Sequence, residues 1–184
     1  MHMVRNILAT VLLLPAAGLT ADLAEIRNYR EYSPTLSSAG QPSAEQLKQV
    51  REAGFERVVY IALTNSNGAL ANEDALVKGL GMDYVHVPVI WDAPSRSDFY
   101  AFAGAMRREP TKKTLLHCQA NFRASAFAFL YRVLYEHVPV AQAKADMNAI
   151  WTPNVIWRDF ILTILKENGV SPDCNGCSWD AKAP

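Results

Sequence analysis

Two side chains that could hold and attack an anionic ester, Cys118 and Arg123, stand five positions apart in the segment LHCQANFRAS. Apolar residues 114–116 predict a buried strand before the cysteine, and the helical spacing of residues 126–135 predicts a helix behind the arginine. A strand, a tight loop and a helix N-terminus present backbone N–H groups to an anion and favour a cysteine thiolate. The Arg123 guanidinium suits bidentate contact with phosphate oxygens. The segment therefore predicts a nucleophile aimed at a phosphate ester.

A plainer interpretation of the same residues is structural. A lone cysteine after a strand is usually a small buried hydrophobic residue, and His117 would then be a core histidine with satisfied ring nitrogens. The succession of strand, cysteine, arginine and helix favours the functional interpretation.

The dipeptide HC followed by an arginine resembles the signature of cysteine-dependent protein tyrosine and dual-specificity phosphatases. That signature usually has five residues between Cys and Arg and then Ser or Thr. Here four residues separate Cys118 from Arg123, Ala124 follows, and Ser125 stands one place late. The segments GQPS (40–43), GFERVV (54–59) and GMDYVHVPV (81–89) are similar to the bacterial β-lactamase-hydrolase-like family of phosphatase-like domains, in which the four-residue spacing is normal. The resemblance covers roughly residues 30–165.

This resemblance implies that Cys118 attacks phosphorus and forms a phosphocysteine, without a metal or cofactor. Arg123 would hold the phosphoryl group, and His117 would orient the loop. The backbone amides of the loop would add donors, from Gln119, Ala120, Asn121 and Phe122. The substrate would be a phosphorylated protein or small molecule.

The loop departs from the resemblance in three ways, so we expect weak or narrow activity. A loop that is one residue shorter presents fewer N–H donors. Ala124 lacks the hydroxyl that in the resembling family bonds the sulfur, and Ser125 could replace it only if the shorter loop turns it inward. The loop also has no glycine, so Asn121 is expected to adopt any left-handed conformation that is needed.

A general acid is also needed, and Asp92 is the favoured candidate. It follows the predicted strand 83–90, whose carboxyl end opens on the same sheet edge as Cys118. The Trp91 ring would partly shield the carboxyl from water and favour its protonated form. Asp92 could equally be a turn residue. Asp98 fits a helix-capping role better, and Asp83 lies at the other end of the strand.

Composition and periodicity indicate one α/β domain. Half of the residues are hydrophobic, and the formal net charge is zero, so nothing indicates nucleic-acid binding. Predicted strands (58–63, 83–90, 112–116) alternate with helices (43–53, 70–80, 98–108), and residues 26–39 predict an edge strand or hairpin. We expect a mostly parallel central sheet flanked by helices, the three-layer phosphatase-like architecture.

The two chain ends carry separate predictions. Arg5 precedes apolar residues 7–14 and then small residues, which is the pattern of a secretory signal peptide spanning residues 1–21, although a buried N-terminal helix is the alternative. A domain of residues 22–170 would then be periplasmic, with no membrane attachment after cleavage. In the tail, residues 171–184, Cys174 and Cys177 could form a redox pair, half a zinc site or a local disulfide, and the oxidising compartment favours the disulfide.

Two other functions fit the same loop. A rhodanese-type sulfurtransferase also places a cysteine in an anion-binding loop, but His117, Asp92 and the GQPS segment favour the phosphatase. A non-catalytic module that binds phosphorylated ligands would suit Ala124 and the glycine-free loop. The residues identify neither the substrate nor an oligomeric state.

Overall fold

The computed structural model describes residues 23–175 and 177–180, and the predicted signal segment, residues 1–21, lies outside them. The strands are β1 (Arg30–Ser33), β2 (Leu36–Ala39), β3 (Arg57–Tyr60), β4 (Asp83–His86) and β5 (Thr114–His117). They form one sheet in the spatial order β1-β2-β5-β3-β4. Strand β1 pairs antiparallel with β2, and the other pairings are parallel. The predicted mostly parallel sheet is confirmed.

Helices connect and cover the strands. In the described part of the chain they are α1 (Ala44–Glu52), α2 (Glu73–Gly79), α3 (Arg96–Arg108), α4 (Phe122–Tyr135), α5 (Val140–Asn148) and α6 (Val155–Glu167). Helix α1 begins at the predicted capping box. Ser43 Oγ accepts from the Gln46 N–H at 3.1 Å, and Gln46 Oε1 accepts from the Ser43 N–H at 3.0 Å.

The sheet has a hydrophobic cluster on each face. Val59 and Leu116 pack into the larger cluster with residues of α3, α4, α5 and α6, while their strand neighbours Val58 and Leu115 pack into a smaller cluster with residues of α1 and α2. Successive strand residues point to opposite faces, so apolar residues at both positions bury the strand on both sides. The expected three-layer arrangement follows.

Strand register gathers the loops at one edge of the sheet. Ala39 in β2, Tyr60 in β3 and His117 in β5 are aligned, so the chain leaves all three parallel strands at the same level. Cys118 is therefore the first residue beyond the central strand, and its N–H still donates to Ala39 O at 3.3 Å. This carboxyl edge is where parallel sheets place their functional loops.

Two predicted strands end earlier than expected, and the first of them, predicted over residues 58–63, ends at Tyr60. The strand predicted over residues 83–90 ends at His86, with a last ladder bond from the Val87 N–H to Tyr60 O at 2.9 Å. Pro88 follows, and a proline has no N–H with which to continue the ladder. Residues 26–39 contain the predicted hairpin, in which β1 is an edge strand of the sheet and β2 lies between β1 and β5.

The C-terminal tail returns to the helical layer. Cys174 and Cys177 form a disulfide. Beyond it, the Trp179 ring lies edge-on to Phe129 at a centroid distance of 5.8 Å, and the Lys144 ammonium lies 4.9 Å from the Trp179 ring centroid. Within residues 23–175 and 177–180, no helix is long and apolar enough to cross a bilayer.

Candidate active site

A cavity of about 500 Å³ opens at the carboxyl edge of the sheet, and we call it the reaction cavity. Cys118 and Arg123 both line it, although Cys118 is only 2% exposed. The two residues on which the predicted chemistry depends therefore face a common space. The rest of its lining consists of Arg27, Trp91, Gln119, Ala120 and Phe122.

Arg123 is a buried cation with unused donors. The residue is 7% exposed, and its Nε and Nη1 atoms have no hydrogen-bond partner among the residues that the structure describes. Its guanidinium carbon lies 5.6 Å from the Trp91 ring centroid, a cation–π contact that leaves the in-plane N–H groups free. A buried guanidinium without hydrogen bonds is costly, and an oxyanion in the reaction cavity would supply them.

The loop, which has no glycine, adopts a left-handed backbone conformation at an asparagine. Asn121 is left-handed, with φ of 67°, as predicted. Its side chain does not cap α4 but donates from Nδ2 to Asn28 O at 2.6 Å, and Asn28 Nδ2 donates to Ala120 O at 2.9 Å. The first N–H groups of a helix have no acceptor inside the helix, so the start of α4 keeps donors for an anion.

A buried acid–base pair lies behind the loop, and the sequence analysis did not identify its acidic member. His117 is fully buried, and its Nε2 lies 2.9 Å from Oε1 of Glu73, which is 4% exposed. Glu73 Oε2 also accepts from Gln41 Nε2 at 3.2 Å. His117 is absent from the cavity lining. This placement fits a residue that orients the loop without contacting the substrate.

The ring of Tyr60 stacks on His117 with a centroid distance of 4.7 Å, and His86 stacks on the other side of Tyr60 at 5.2 Å. Burial, and secondarily the charge of Glu73, raises the pKa of Tyr60 to about 12. The phenol therefore stays protonated at neutral pH and donates to Leu63 O at 2.9 Å.

Ser125 does not take the place of the missing hydroxyl next to Cys118. It is buried outside the cavity lining, and its Oγ donates to Phe122 O at 3.0 Å and accepts from Trp151 Nε1 at 3.1 Å. Its single hydroxyl hydrogen is thus used within the first turn of α4. The predicted contribution of Ser125 to substrate binding has no support from this placement.

The three candidate acids occupy different environments. Asp92 is exposed and follows Trp91, which lines the reaction cavity, but Asp92 itself is not among the lining residues. Asp98 caps α3, with Oδ2 accepting from the Ser95 N–H at 3.1 Å, which agrees with the capping role expected for it. Asp83 forms an ion pair with Lys112 at the other end of β4.

Trp91 belongs to an aromatic wall. We expected its ring to shield Asp92 from water, but Asp92 is exposed. Its ring lies 5.4 Å from Trp157, 5.5 Å from Trp151 and 6.3 Å from Phe122 by centroid distance. Trp157 Nε1 also donates to Trp91 O at 3.0 Å, which holds the start of the 91–95 loop against α6. The apolar side of the reaction cavity is therefore fixed, while the carboxyl of Asp92 remains in solvent.

The fold that carries this site has a counterpart in a solved structure. A protein from Shewanella putrefaciens CN-32 described as "Putative phosphatase (DUF442)" is 34% identical over 79% of this chain and 96% of its own length, with a TM-score of 0.73. The chain belongs to the DUF442 family. The sequence matches no protein-family model and no curated protein.

More distant solved structures share the fold of the DUF442 chain. TpbA of P. aeruginosa in complex with pTyr is 19% identical, with a TM-score of 0.55 over 68% of this chain and 74% of TpbA. Tk-PTP in its active form is 17% identical, with a TM-score of 0.62 over 77% of this chain and 95% of Tk-PTP. The predicted phosphatase-like fold is thus confirmed.

Three site residues of the DUF442 chain were missed, and the local sequence marks only one of them, Asn28. Glu73 lies 44 positions before His117, and Arg27 and Asn28 precede the reaction loop by about 90 positions. Their approach depends on the sheet order, which brings β2 beside β5. Only the positive-φ asparagines carry a sequence signal, since asparagine tolerates the left-handed region better than most residues.

Proposed function

We propose that this DUF442 protein hydrolyses phosphate monoesters through a phosphocysteine on Cys118. The observation that carries the proposal is that the buried, unpaired guanidinium of Arg123 and the sulfur-bearing Cys118 line one cavity. A phosphoryl group there would satisfy the guanidinium donors and the free N–H groups at the start of α4.

The proposed reaction has two steps. The Cys118 thiolate attacks phosphorus and forms the S–P bond, while the P–O bond to the leaving group breaks and Asp92 donates its proton to the departing oxygen. The Asp92 carboxylate then takes a proton from water as the water oxygen attacks phosphorus, which releases phosphate and regenerates the thiolate. Arg123 and the loop amides stabilise charge on the equatorial oxygens in both steps.

Asp92 is proposed as the acid because of its position rather than a contact. It directly follows Trp91, whose ring forms part of the cavity wall, so a small change in the 91–95 loop would bring the carboxyl to the leaving group. Asp98 is already used in the cap of α3. In this proposal His117 and Glu73 support the loop from behind and take no part in proton transfer to the substrate.

Hydrolysis of p-nitrophenyl phosphate by wild type and Cys118→Ser tests the nucleophile. We expect the substitution to lower kcat by on the order of 10³-fold or more, because a serine hydroxyl is a poor nucleophile without an adjacent base. Rapid acid quenching of wild type should trap a protein heavier by one phosphoryl group. Equal rates for the two proteins would refute the assignment.

A leaving-group comparison tests the acid. Asp92→Asn should slow the hydrolysis of an alkyl phosphate far more than that of p-nitrophenyl phosphate, because nitrophenolate departs without a proton. Asp98→Asn is the matched control. It should lower stability by about 1 kcal/mol through the cap but affect both substrates alike. If Asp98→Asn shows the leaving-group dependence instead, the roles of the two carboxyls are reversed.

The two alternative functions have distinct outcomes in the same assays. A sulfurtransferase would transfer sulfur from thiosulfate to cyanide faster than it hydrolyses aryl phosphate. A binding module would bind vanadate without any turnover that depends on Cys118. The similarity to phosphatases favours hydrolysis over both.

We also propose that the protein is exported to the periplasm through residues 1–21. The support is the composition of that segment and the Cys174–Cys177 disulfide, a bond that persists in oxidising compartments. Cell fractionation should recover a processed chain in the periplasmic fraction. A full-length chain in the cytoplasm would contradict this.

A further inference from the structure

We propose that the natural substrate is a small phosphate ester that carries a second phosphate, and that Arg27 binds this second group. The inference rests on the proposed phosphatase function for the first phosphate. It concerns a second cavity beside the reaction cavity and the cation shared by the two.

The second cavity, which we call the side cavity, has a volume of about 530 Å³. It lies between the start of α1 and the loop 67–71, and it shares Arg27 and Gln119 with the reaction cavity. The two spaces therefore adjoin along these two side chains. Each has the volume of an ordinary small-molecule site, so a ligand held at Cys118 could extend past Arg27 into the side cavity.

The lining of both cavities selects for negative charge and hydroxyl groups. Among the described residues, no aspartate or glutamate lines either cavity, while each has an arginine. The side cavity adds amide and hydroxyl groups, from Gln41, Ser43, Gln46, Asn67 and Gln119. Ser43 and Gln46 also bond to each other, and Gln119 Nε2 donates to Asn67 O. The lining therefore offers a ligand hydroxyl the remaining capacity of these groups, chiefly the Ser43 hydroxyl hydrogen and the Gln119 amide oxygen.

Arg27 is a cation whose backbone is fixed and whose side chain is uncommitted. Its carbonyl accepts from the Gly40 N–H at 2.7 Å, and the preceding residue, Ile26, is fully buried. No ion pair or side-chain hydrogen bond of the Arg27 guanidinium occurs within residues 23–175 and 177–180, in contrast to Arg30, which pairs with Asp146. The guanidinium can therefore engage a ligand without first breaking a protein contact.

Gly40 is what allows Arg27 to come this close. A Cβ at position 40 would lie 3.0 Å from both the Cβ and the carbonyl oxygen of Arg27, and 3.1 Å from Gln119 O. Any larger residue would push the 27–28 turn away from the loop that carries Cys118. The GQPS segment thus has a physical role, since its glycine seats the arginine and its last three residues line the side cavity.

Two cations on adjoining cavities distinguish ligands by the number of phosphate groups that they carry. A monophosphate bound at Arg123 leaves Arg27 in water, whereas a bisphosphate engages both guanidinium groups. A charge-assisted hydrogen bond to a partly exposed arginine corresponds to about a tenfold gain in affinity. A phosphotyrosyl peptide would reach Arg27 only through a chance acidic side chain.

The test measures binding to Cys118→Ser by titration calorimetry, with glucose 6-phosphate and glucose 1,6-bisphosphate as a matched pair. We expect the bisphosphate to bind about tenfold more tightly or better. Adding Arg27→Gln should abolish most of this preference, and Arg27→Lys should restore part of it. Arg108→Gln removes the same charge from an exposed position at the far end of α3 and should leave the preference unchanged.

Equal affinities for the two sugars, a preference that survives Arg27→Gln, or tighter binding of a phosphotyrosyl peptide than of the bisphosphate would each overturn the inference. Because binding is measured without turnover, the result does not depend on catalysis. A charge preference in Cys118→Ser together with no hydrolysis by wild type would refute the proposed function alone. Hydrolysis of p-nitrophenyl phosphate without any charge preference would refute only the second-phosphate site.

Discussion

Replacement of Asn121 tests how the glycine-free loop is held in shape. The side chain does two things that can be separated: it tolerates φ of 67°, and its Nδ2 donates to Asn28 O at 2.6 Å from a fully buried position. Asn121→Gly keeps the backbone conformation and removes only the hydrogen bond. Asn121→Ala removes the bond and also places a Cβ in the left-handed region.

The expected magnitudes follow from these two terms. The bond to Asn28 O is partly buried, and such a hydrogen bond contributes about 0.5–1.5 kcal/mol, so Asn121→Gly should lower the free energy of unfolding by that amount. The left-handed conformation costs an L-residue about 1–2 kcal/mol, less the backbone entropy that a glycine loses, so Asn121→Ala should be about 1 kcal/mol worse than the glycine variant. Both variants should lower kcat for p-nitrophenyl phosphate by about tenfold or more, because a loosened loop misplaces its donors.

Asn72 supplies the control for this comparison. It is also left-handed, with φ of 55°, but it is exposed and its side chain makes no capping bond. Asn72→Gly should be nearly neutral, and Asn72→Ala should show only the strain of about 1 kcal/mol. Urea unfolding of the four variants measures all terms. If Asn121→Gly is as stable as wild type, the bond to Asn28 does not hold the loop, and that explanation of the loop conformation is wrong.

Two further changes have outcomes that follow from contacts already described. Gly40→Ala should destabilise the protein by about 1–3 kcal/mol in urea unfolding, because the new Cβ would lie 3.0 Å from Arg27 O and 3.1 Å from Gln119 O. Unaltered stability would show that the turn moves aside without cost. The pKa of Tyr60 is about 12 in the fold, against 10.0 for a free phenol. Its protonated phenol therefore contributes fully to the free energy of unfolding below pH 10, and this contribution is lost as the pH rises through 12. Tyr60→Phe should therefore reduce the alkaline decline of unfolding free energy by up to about 1.4 kcal/mol per pH unit, and an identical decline in both proteins would contradict the burial of this phenol.

The sequence was sufficient for features set by neighbours in the chain. The Ser43–Gln46 capping box, the left-handed Asn121 and the helix-capping role of Asp98 were all predicted from local residue chemistry, and the structure has each of them. The alternation of strands and helices likewise led to the parallel sheet, because parallel strands need crossover helices.

Features set by distant residues were not predictable in this way. The Glu73–His117 pair and the contacts of Arg27 and Asn28 depend on which strands are neighbours, and spacing along the chain carries no information about that order. The contacts of the Ser125 hydroxyl were not predictable for a related reason, because it accepts from Trp151, which lies in a segment between α5 and α6.

The order of the strands also bears on how the chain folds. Strand β5 comes last in the sequence yet occupies the middle of the sheet, between β2 and β3. Until β5 arrives, the remaining strands can form only two separate ribbons, β1 with β2 and β3 with β4, and two-stranded ribbons are marginally stable in water. Assembly must therefore wait for a pairing between segments such as Leu36 and Thr114, 78 residues apart, which makes for slow folding. The same event places Cys118 and Arg123 on one cavity, so only the finished sheet contains the site that the proposed reaction needs.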